Sequence, residues 1–419
     1  MKKILFASTA LVAAGLLTAG NASASSKIHL QLGGHSQWWV VGAWESNSFL
    51  SANNYAIPNV DVKGENAIDM SGSTTLDNGI KVGAKFEFRG GDISKTTTDS
   101  IDQSFAWVEG GFGKFLIGSD KSVNYQMGVT APVANGQWNE GGLLTGDFVL
   151  FKPGTDNIMA GGNTTKIDTL DHATHIQYQT PSLYGFTLGL GYTPQYSEDN
   201  RNPINLNNSY SLSGAGQEVA SNSSAGYSEP VQQSYEGNLL YVNSFNGIGV
   251  KADAGVLQAK LGRVSGGGAS SWLEQQYGAQ LSYAGITIGG SYRHQMANYT
   301  ETTSADLATL GGITSASGGS MGRGSAYDAG VQYATGPYGV SFSYFHSAVS
   351  NCDLSNACSA SHPSGNDVTK FYELAGKYNL GPGVDILTTA GYGEYNSALS
   401  GAKYSNSGWV AMSGLNLAF

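Results

Sequence analysis

The chain is short of charge, of basic residues and of cysteine. Asp, Glu, Lys and Arg make up 12% of its 419 residues, about half the roughly 25% of an ordinary soluble domain, which argues against a cytosolic enzyme. Basic residues number 21 against 31 acidic ones, so the chain lacks the basic face that nucleic-acid phosphates require. DNA and RNA are therefore excluded as expected partners.

A long apolar run is missing beyond the N-terminus. Residues 4–17 form a mainly apolar stretch of 14 residues, fewer than the roughly 20 that a membrane-spanning helix needs. Two lysines precede this stretch and Ala22-Ser23-Ala24 follows it, a pattern typical of a secretory signal peptide. We predict cleavage after Ala24, so that residues 1–24 are the signal peptide and residues 25–419 form the exported protein.

In place of apolar runs, the chain has segments in which apolar residues alternate with polar residues or glycine. Examples are residues 80–89, 186–193, 276–283 and 327–334. This period-two alternation predicts strands with one apolar face, and Tyr, Phe or Trp recur near the ends of these faces. A soluble β-sandwich would carry more charge on its outer face. The pattern therefore favours a transmembrane β-barrel, the one alternative to helices for spanning a bilayer.

Short turns alternate with long loops along the chain. The turns lie at residues 77–79, 110–113, 182–185, 246–247, 284–285, 336–339 and 381–383. The loops lie approximately at residues 46–65, 91–99, 121–171, 195–232, 264–272, 297–322, 350–366 and 397–406. Outer-membrane barrels have an even strand number and this alternation, so we predict an all-β, antiparallel transmembrane barrel of about 16 strands. A slip of the outward phase between Val256 and Leu257 predicts a β-bulge there.

Four pieces of the sequence carry a family resemblance. They are residues 75–79 (TLDNG), 111–118 (GFGKFLIG), 179–186 (QTPSLYGF) and Phe419. In this order they resemble the Gram-negative general porins of the alphaproteobacterial type, over essentially the whole exported chain. The resemblance implies a homotrimer of water-filled barrels among the lipids of the bacterial outer membrane. Each barrel would be narrowed by an inward-folded third external loop and would pass ions and small hydrophilic solutes, with no cofactor. Phe419 resembles the signal that the outer-membrane assembly machinery reads.

The longest loop, residues 121–171, is predicted to form the pore constriction. Selectivity follows from the charges at the narrowest point of a channel. Many general porins carry an acidic, Gly-rich tip there, which residues 139–142 (NEGG) loosely resemble. The resemblance therefore implies Glu140 as the first acidic candidate, followed by Asp147 and Asp156.

Opposite this loop, general porins usually place Arg and Lys side chains on the barrel wall. Lys81, Lys85 and Arg89 share the polar face of the third strand. A lipid-facing charge would cost about 2 to 4 kcal/mol near the midplane, so we expect all three to line the lumen. The second and fourth strands, expected at about residues 66–76 and 100–109, contain no Lys or Arg, which argues against a strong transverse field.

Two histidines are the remaining candidates for the pore wall. His35 lies on the polar face of the first strand, about where many relatives have a lysine, and His175 opens the strand after the constriction loop. Imidazole charge would appear as the pH falls through about 6.5, so we predict that acidification shifts ion preference toward anions. At neutral pH the exported chain has 19 basic and 31 acidic residues, a charge of 19 − 31 = −12, which favours cations.

Cys352 and Cys358 are the only cysteines of the chain. They lie in one expected external loop of an exported protein, which predicts a loop-closing disulfide. Together with His362 they match no common zinc pattern, so no metal site is expected.

Three other functions are compatible with parts of the sequence. A barrel enzyme would need a serine nucleophile, but no Gly-x-Ser-x-Gly elbow occurs in strand-to-helix context, and enzyme activity is not expected. A substrate-specific channel for sugars or anions could use Trp38, Trp39 and Trp44 as an aromatic track, although Trp38 falls on the lipid face. A surface receptor or adhesin could act through loop 195–232 and coexist with a pore.

Overall fold

The computed structural model describes most of the strands and part of the connections. The described residues are 27–90, 101–136, 150, 153, 164–167, 173–194, 210–212, 218–220, 231–261, 271–298, 324–350 and 365–419.

Sixteen antiparallel strands close into one barrel, which confirms the predicted fold and strand number. Neighbours in the barrel are neighbours in the sequence, and β18 pairs with β1 to close it. The barrel strands are β1 (His29–Glu45), β2 (Val60–Thr75), β3 (Lys81–Arg89), β4 (Ile101–Gly110), β5 (Gly113–Ser119), β6 (Thr174–Gln179), β7 (Phe186–Thr193), β10 (Val231–Phe245), β11 (Ile248–Leu261), β12 (Ser271–Tyr283), β13 (Ile286–Asn298), β14 (Gly324–Thr335), β15 (Tyr338–Ser350), β16 (Asn366–Gly381), β17 (Val384–Asn396) and β18 (Ser405–Ala418). The strands β8 (Tyr210–Leu212) and β9 (Glu218–Ala220) form a separate hairpin.

Tight turns connect the strands at one end of the barrel. Between β10 and β11, Asn246 and Gly247 have φ angles of 49° and 83°, as a type I′ hairpin turn requires. The opposite end carries the long loops, which contain the short helices α1 (Asn47–Ala52) and α2 (Val123–Met127) and a 3₁₀ turn at Ala402–Tyr404. Among the described residues, no helix has the length and apolar composition needed to cross a bilayer.

The outer face of the barrel is apolar, as the alternation predicts. Side chains such as Leu281, Ile288 and Val331 are 43–50% exposed, and aromatic pairs such as Tyr344–Tyr372 and Tyr392–Trp409 pack side by side on the same face, with ring centroids 4.9 Å apart. Trp38 and Trp44 lie on this face, each 49% exposed, whereas Trp39 points inward and is buried.

Two expectations about individual strands are wrong. β2 begins at Val60, earlier than a loop over residues 46–65 allows, so the second strand contains Lys63. Lys63 faces inward and forms an ion pair with Asp61, with Nζ and Oδ2 3.0 Å apart. Because the two charges neutralise each other, both side chains can lie on the inner face, and the alternation of inward and outward residues continues to the end of the strand.

The β-bulge expected between Val256 and Leu257 is also wrong. The pairing of β11 with β10 and β12 is unbroken at this point. Val256 is exposed on the outer face and Leu257 is fully buried on the inner face. The alternation only appears to shift here, because the inward residue Leu257 is apolar instead of polar. An apolar side chain is tolerated at this inward position because it is buried.

Part of the inner face is apolar. Inward side chains of β1 and of β14 to β18 form a buried cluster together with two residues of the loop after β5. Its members are Trp39, Val41, Ala131, Leu150, Ala326, Phe345, Val349, Phe371, Leu387, Tyr395, Val410 and Met412. The core of the molecule therefore lies inside the barrel, between its wall and this loop.

Candidate functional site

The loop after β5 begins with a short helix that lies against the inner wall. In α2 the Ser122 hydroxyl accepts a hydrogen bond from the backbone N–H of Tyr125 at 3.2 Å, the usual N-cap arrangement. Asn124, fully buried, donates from its side-chain amide to the carbonyl oxygen of Val256 at 3.0 Å and to the Glu236 carboxylate at 3.2 Å. These contacts fix the first turn of the loop on β10 and β11.

A row of inward polar groups on β11 to β16 then holds the loop. Backbone N–H groups of the loop donate to side-chain oxygens, and at the last position a side-chain amide does so. The pairs are Val129 N to Asp253 Oδ1 at 2.9 Å, Ala131 N to Asp328 Oδ1 at 3.1 Å, Ala134 N to Ser341 Oγ at 2.9 Å and Asn135 Nδ2 to Glu373 Oε1 at 3.0 Å. Residues 123–135 therefore run round the inner wall across successive strands.

The returning part of the same loop is held on the same side. The backbone N–H of Ile167 donates to Oε1 of Gln276 at 2.6 Å, and Arg293 donates from Nη1 to the carbonyl oxygen of Lys166 at 2.6 Å. Arg293 also pairs with Glu274, Nη2 to Oε2 2.7 Å, and both side chains are fully buried. Buried charges are tolerated only when they are paired and hydrogen-bonded. The Lys166 carbonyl therefore completes the hydrogen bonding of a buried ion pair inside the barrel.

The inner face of β1 to β4 carries a network of charged side chains that we call the charged wall. Its members are His35, Asp61, Lys63, Glu65, Asp69, Lys85, Glu87, Arg89 and Asp102. Lys85 Nζ lies 3.1 Å from Asp69 and 3.3 Å from Glu87. Arg89 lies 3.0 Å from Asp102, 3.4 Å from Glu87 and 3.7 Å from Glu65. Each of these two cations is therefore shared by two or three carboxylates.

A closed, outwardly apolar barrel with polar groups on its inner face is one of the two architectures that can span a bilayer. A family model described as Gram-negative porin matches residues 7–398. The chain belongs to the Gram-negative porin family. The family and the fold are those of an outer-membrane channel rather than of an enzyme.

Solved structures share the fold at low sequence identity. An anion-selective porin from Comamonas acidovorans is 16% identical with a TM-score of 0.57, and the match covers 94% of this chain and 100% of that one. In-vitro folded OmpT, an outer membrane protein of Vibrio cholerae in its trimer form, is 11% identical with a TM-score of 0.53, over 94% and 100% of the two chains. An uncharacterized protein of Rickettsia typhi is 29% identical over 147 residues. That match spans 32% of this chain and about a third (33%) of the relative.

The structure of the porin brings some predicted wall residues together and separates others. His35, Lys85 and Arg89 lie in the charged wall, where His35 Nε2 is 3.8 Å from Glu65. Lys81 lies at the turn end of β3, opposite Glu109 of β4. His175 points inward but is 1% exposed and contacts Gln177. At this low exposure its ring does not border open lumen.

Several predicted positions fall outside the described part of the porin. They are the acidic loop residues Glu140, Asp147 and Asp156, the cysteines Cys352 and Cys358, and the signal peptide with Ala24. Phe419 is described: its backbone N–H donates to Gly34 at 3.1 Å, its carbonyl accepts from Gly34 at 2.9 Å, and its side chain is exposed. Among the described residues, no group of three His, Cys, Asp or Glu is arranged to hold a metal.

Sequence reasoning missed most of the acidic residues on the inner wall of the porin. Asp61, Glu65, Asp69 and Asp102 were not singled out, and neither were the four carboxylates that hold the loop, Glu236, Asp253, Asp328 and Glu373. The signal was present: each of these residues occupies an inward position in an alternating strand. A carboxylate on the inner face of a barrel strand is therefore a useful marker of a loop anchor or a lumen charge.

Proposed function

We propose that the protein forms a water-filled channel through which ions and small hydrophilic solutes diffuse passively across the outer membrane. The observation that carries this proposal is that the loop covers one side of the inner wall and leaves the other side in contact with water. The described loop residues lie against β6, β7 and β10 to β18, whereas the charged wall on β1 to β4 keeps side chains such as Asp69 and Glu65 about one-third exposed, 35% and 31%. Sixteen strands are about the number at which a barrel leaves an aqueous channel.

The loop over residues 121–171 is proposed as the constriction, with Glu140 as the main acidic side chain and Asp147 and Asp156 as further ones. The contacts of residues 123–135 and 164–167 with the inner wall support this proposal, because both ends of the loop then start from inside the barrel. Residues 1–24 are proposed as a signal peptide that is cleaved after Ala24, and Cys352 and Cys358 as a disulfide.

The functional unit is proposed to be a homotrimer. Ser36 and Asn66 lie on the outer face and form a hydrogen bond with each other, 2.6 Å from Oγ to Oδ1. Polar groups and small residues on a membrane-facing surface favour protein–protein contact over lipid contact. Asn66 is flanked on β2 by Gly64, whose absent side chain leaves room for Trp38.

The deciding experiment is conductance of the refolded protein in planar bilayers. We expect stepwise current increases in groups of three, and a weaker cation preference for Glu140→Gln than for the wild type. Glu394→Gln is the matched control, since Glu394 lies on the outer face and pairs with Lys370 at 3.7 Å. Well-folded, heat-modifiable barrels without conductance would contradict the channel proposal.

A further inference from the structure

The charges of the inner wall differ in their access to water. On the side that holds the loop, Glu236, Asp253, Asp328 and Glu373 are 2–6% exposed, and each accepts hydrogen bonds from loop residues. Such groups are covered by protein. On the opposite side, the charged wall keeps several of its charges in contact with water.

Carboxylate side chains outnumber cationic side chains in the charged wall. Its carboxylates are Asp61, Glu65, Asp69, Glu87 and Asp102. Its permanent cations are Lys63, Lys85 and Arg89, and His35 is counted here as neutral. The formal charge of this surface is therefore 3 − 5 = −2.

Three of the five carboxylates are more exposed than the cations, whereas Glu87 and Asp102 are only 10% and 4% exposed. The side chains of Asp61, Asp69 and Glu65 are 61%, 35% and 31% exposed, whereas those of Lys85, Arg89 and Lys63 are 24%, 19% and 18% exposed. Each cation lies within 3.1 Å of at least one carboxylate oxygen, which offsets its positive charge locally. A passing ion therefore meets carboxylate oxygens before it meets ammonium or guanidinium groups.

The amino-acid composition of residues 121–171 does not reverse this sign. This segment contains five acidic residues and three lysines. Negative charge on the wall of a water-filled channel repels anions from it.

From this asymmetry, and resting on the proposed channel function, we propose that the pore selects cations and that Glu65 and Asp69 on β2 determine this selectivity. Both are more exposed than any cation of the wall. Asp61 is more exposed still, but it is the second residue of β2 at the loop end, where bulk salt screens it within a Debye length of about 8 Å.

The test is the reversal potential under a KCl gradient at pH 8. The variants are Glu65→Gln, Asp69→Asn and the double variant, which keep side-chain size and remove one or two charges. We expect cation preference in the wild type. Each charge removed should lower the cation-to-anion permeability ratio about twofold. A unit charge roughly 7 Å from the ion path acts on an ion in water at about the thermal energy, with opposite sign for cations and anions. Screening over a Debye length of about 8 Å reduces this interaction to about 0.4 of that energy.

Three further variants separate this proposal from alternatives. Lys85→Met removes a positive charge from the wall and should raise the cation-to-anion permeability ratio. The wall is then tested by the loss of negative charge and by the loss of positive charge. Glu394→Gln removes the same charge from the outer face and should leave the ratio unchanged. If the turn-end mouth sets selectivity instead, Lys81→Gln will change the ratio more than Asp69→Asn does.

Several outcomes would overturn the proposal while the channel itself stands. They are anion preference in the wild type, unchanged ratios in Glu65→Gln and Asp69→Asn, or a larger effect of Lys81→Gln. A complete absence of conductance in correctly folded wild-type barrels would instead contradict the proposed channel function. Cation preference should also weaken as the salt concentration rises, since screening shortens the reach of the wall charges.

Discussion

The carboxylate of Asp328 on β14 accepts a hydrogen bond from the backbone N–H of Ala131 at 3.1 Å, although 197 positions separate the two residues. The same carboxylate accepts from the Ser291 hydroxyl at 2.7 Å. Because the donor from the loop is a main-chain group, this anchor depends little on which side chain the loop carries. The barrel wall, more than the loop sequence, sets the path of residues 123–135.

Loss of this anchor should loosen the loop. In Asp328→Ala the Ala131 N–H loses its acceptor, at a cost of about 1–3 kcal/mol for a buried polar group left unpaired. The hydroxyls of Ser291 and Thr165 also lose the carboxylate and keep only each other. We expect larger and noisier single-channel currents and faster proteolysis of the loop. Asp385→Ala is the control, since Asp385 also points inward but pairs with Lys377 at 2.9 Å near the turns. Equal current noise in the two variants would contradict the anchoring role.

At Gly278 the backbone of the loop packs directly against the barrel wall. A Cβ atom there would lie 1.8 Å from the carbonyl oxygen of Val129 and 2.7 Å from Oδ1 of Asp253, so Gly278→Ala must displace the backbone of the loop. We expect a loss of about 1–3 kcal/mol in unfolding free energy and an altered conductance. Gly381→Ala, where nothing lies within 4 Å of the added atom, should change neither. A conductance of wild-type size in Gly278→Ala would show that the loop does not touch β12.

The pair of Arg293 and Glu274 should matter for stability more than any surface ion pair. Both side chains are fully buried with a 2.7 Å contact, and removal of one partner leaves a buried charge, which costs about 3–5 kcal/mol. Arg293→Met should therefore lower the urea midpoint of the refolded barrel. Lys370→Met, which breaks an ion pair on the outer face, should lower the unfolding free energy by less than about 1 kcal/mol. The double change Arg293→Met with Glu274→Gln should recover part of the loss.

The two faces of a single strand can be tested with one pair of substitutions. Val331 is 43% exposed on the outer face, and Gln332 is its inward neighbour. A lysine facing lipid costs about 2 kcal/mol or more away from the interfaces, so Val331→Lys should destabilise the barrel in lipid vesicles. Gln332→Lys should leave stability nearly unchanged and shift ion preference toward anions. The opposite order of stabilities would mean that the faces are reversed.

The alternating pattern predicted the fold because each barrel strand has one face in lipid and the other inside. Residues 327–334 show this: their apolar members lie outside and Asp328 lies inside. The pattern failed where the inner face is itself apolar or strongly charged. Leu257 imitated a bulge because an apolar side chain occupies a buried inward position. Asp61 and Lys63 imitated a loop because charged residues at the end of a strand resemble loop residues in sequence.

The site was predicted less completely than the fold. Position on the polar face was enough to find His35, Lys85 and Arg89 as inward residues. Apart from Glu87, the carboxylates that neutralise them come from neighbouring strands, and pairs such as Arg89 with Asp102 depend on register. The burial of His175 depends on where the loop lies, which alternation does not encode. The acidic loop residues Glu140, Asp147 and Asp156 stay predictions.

The pairing of β1 with β18, in which His35 lies opposite Ala418, makes the sheet a ring of hydrogen bonds. An open sheet has two weak borders from which it can fray, and unpaired backbone groups at such borders are costly in lipid. A ring has no border, so no single strand can peel away without breaking two interfaces at once. Local opening from an end, the ordinary route by which a sheet begins to come apart, is therefore closed to this molecule.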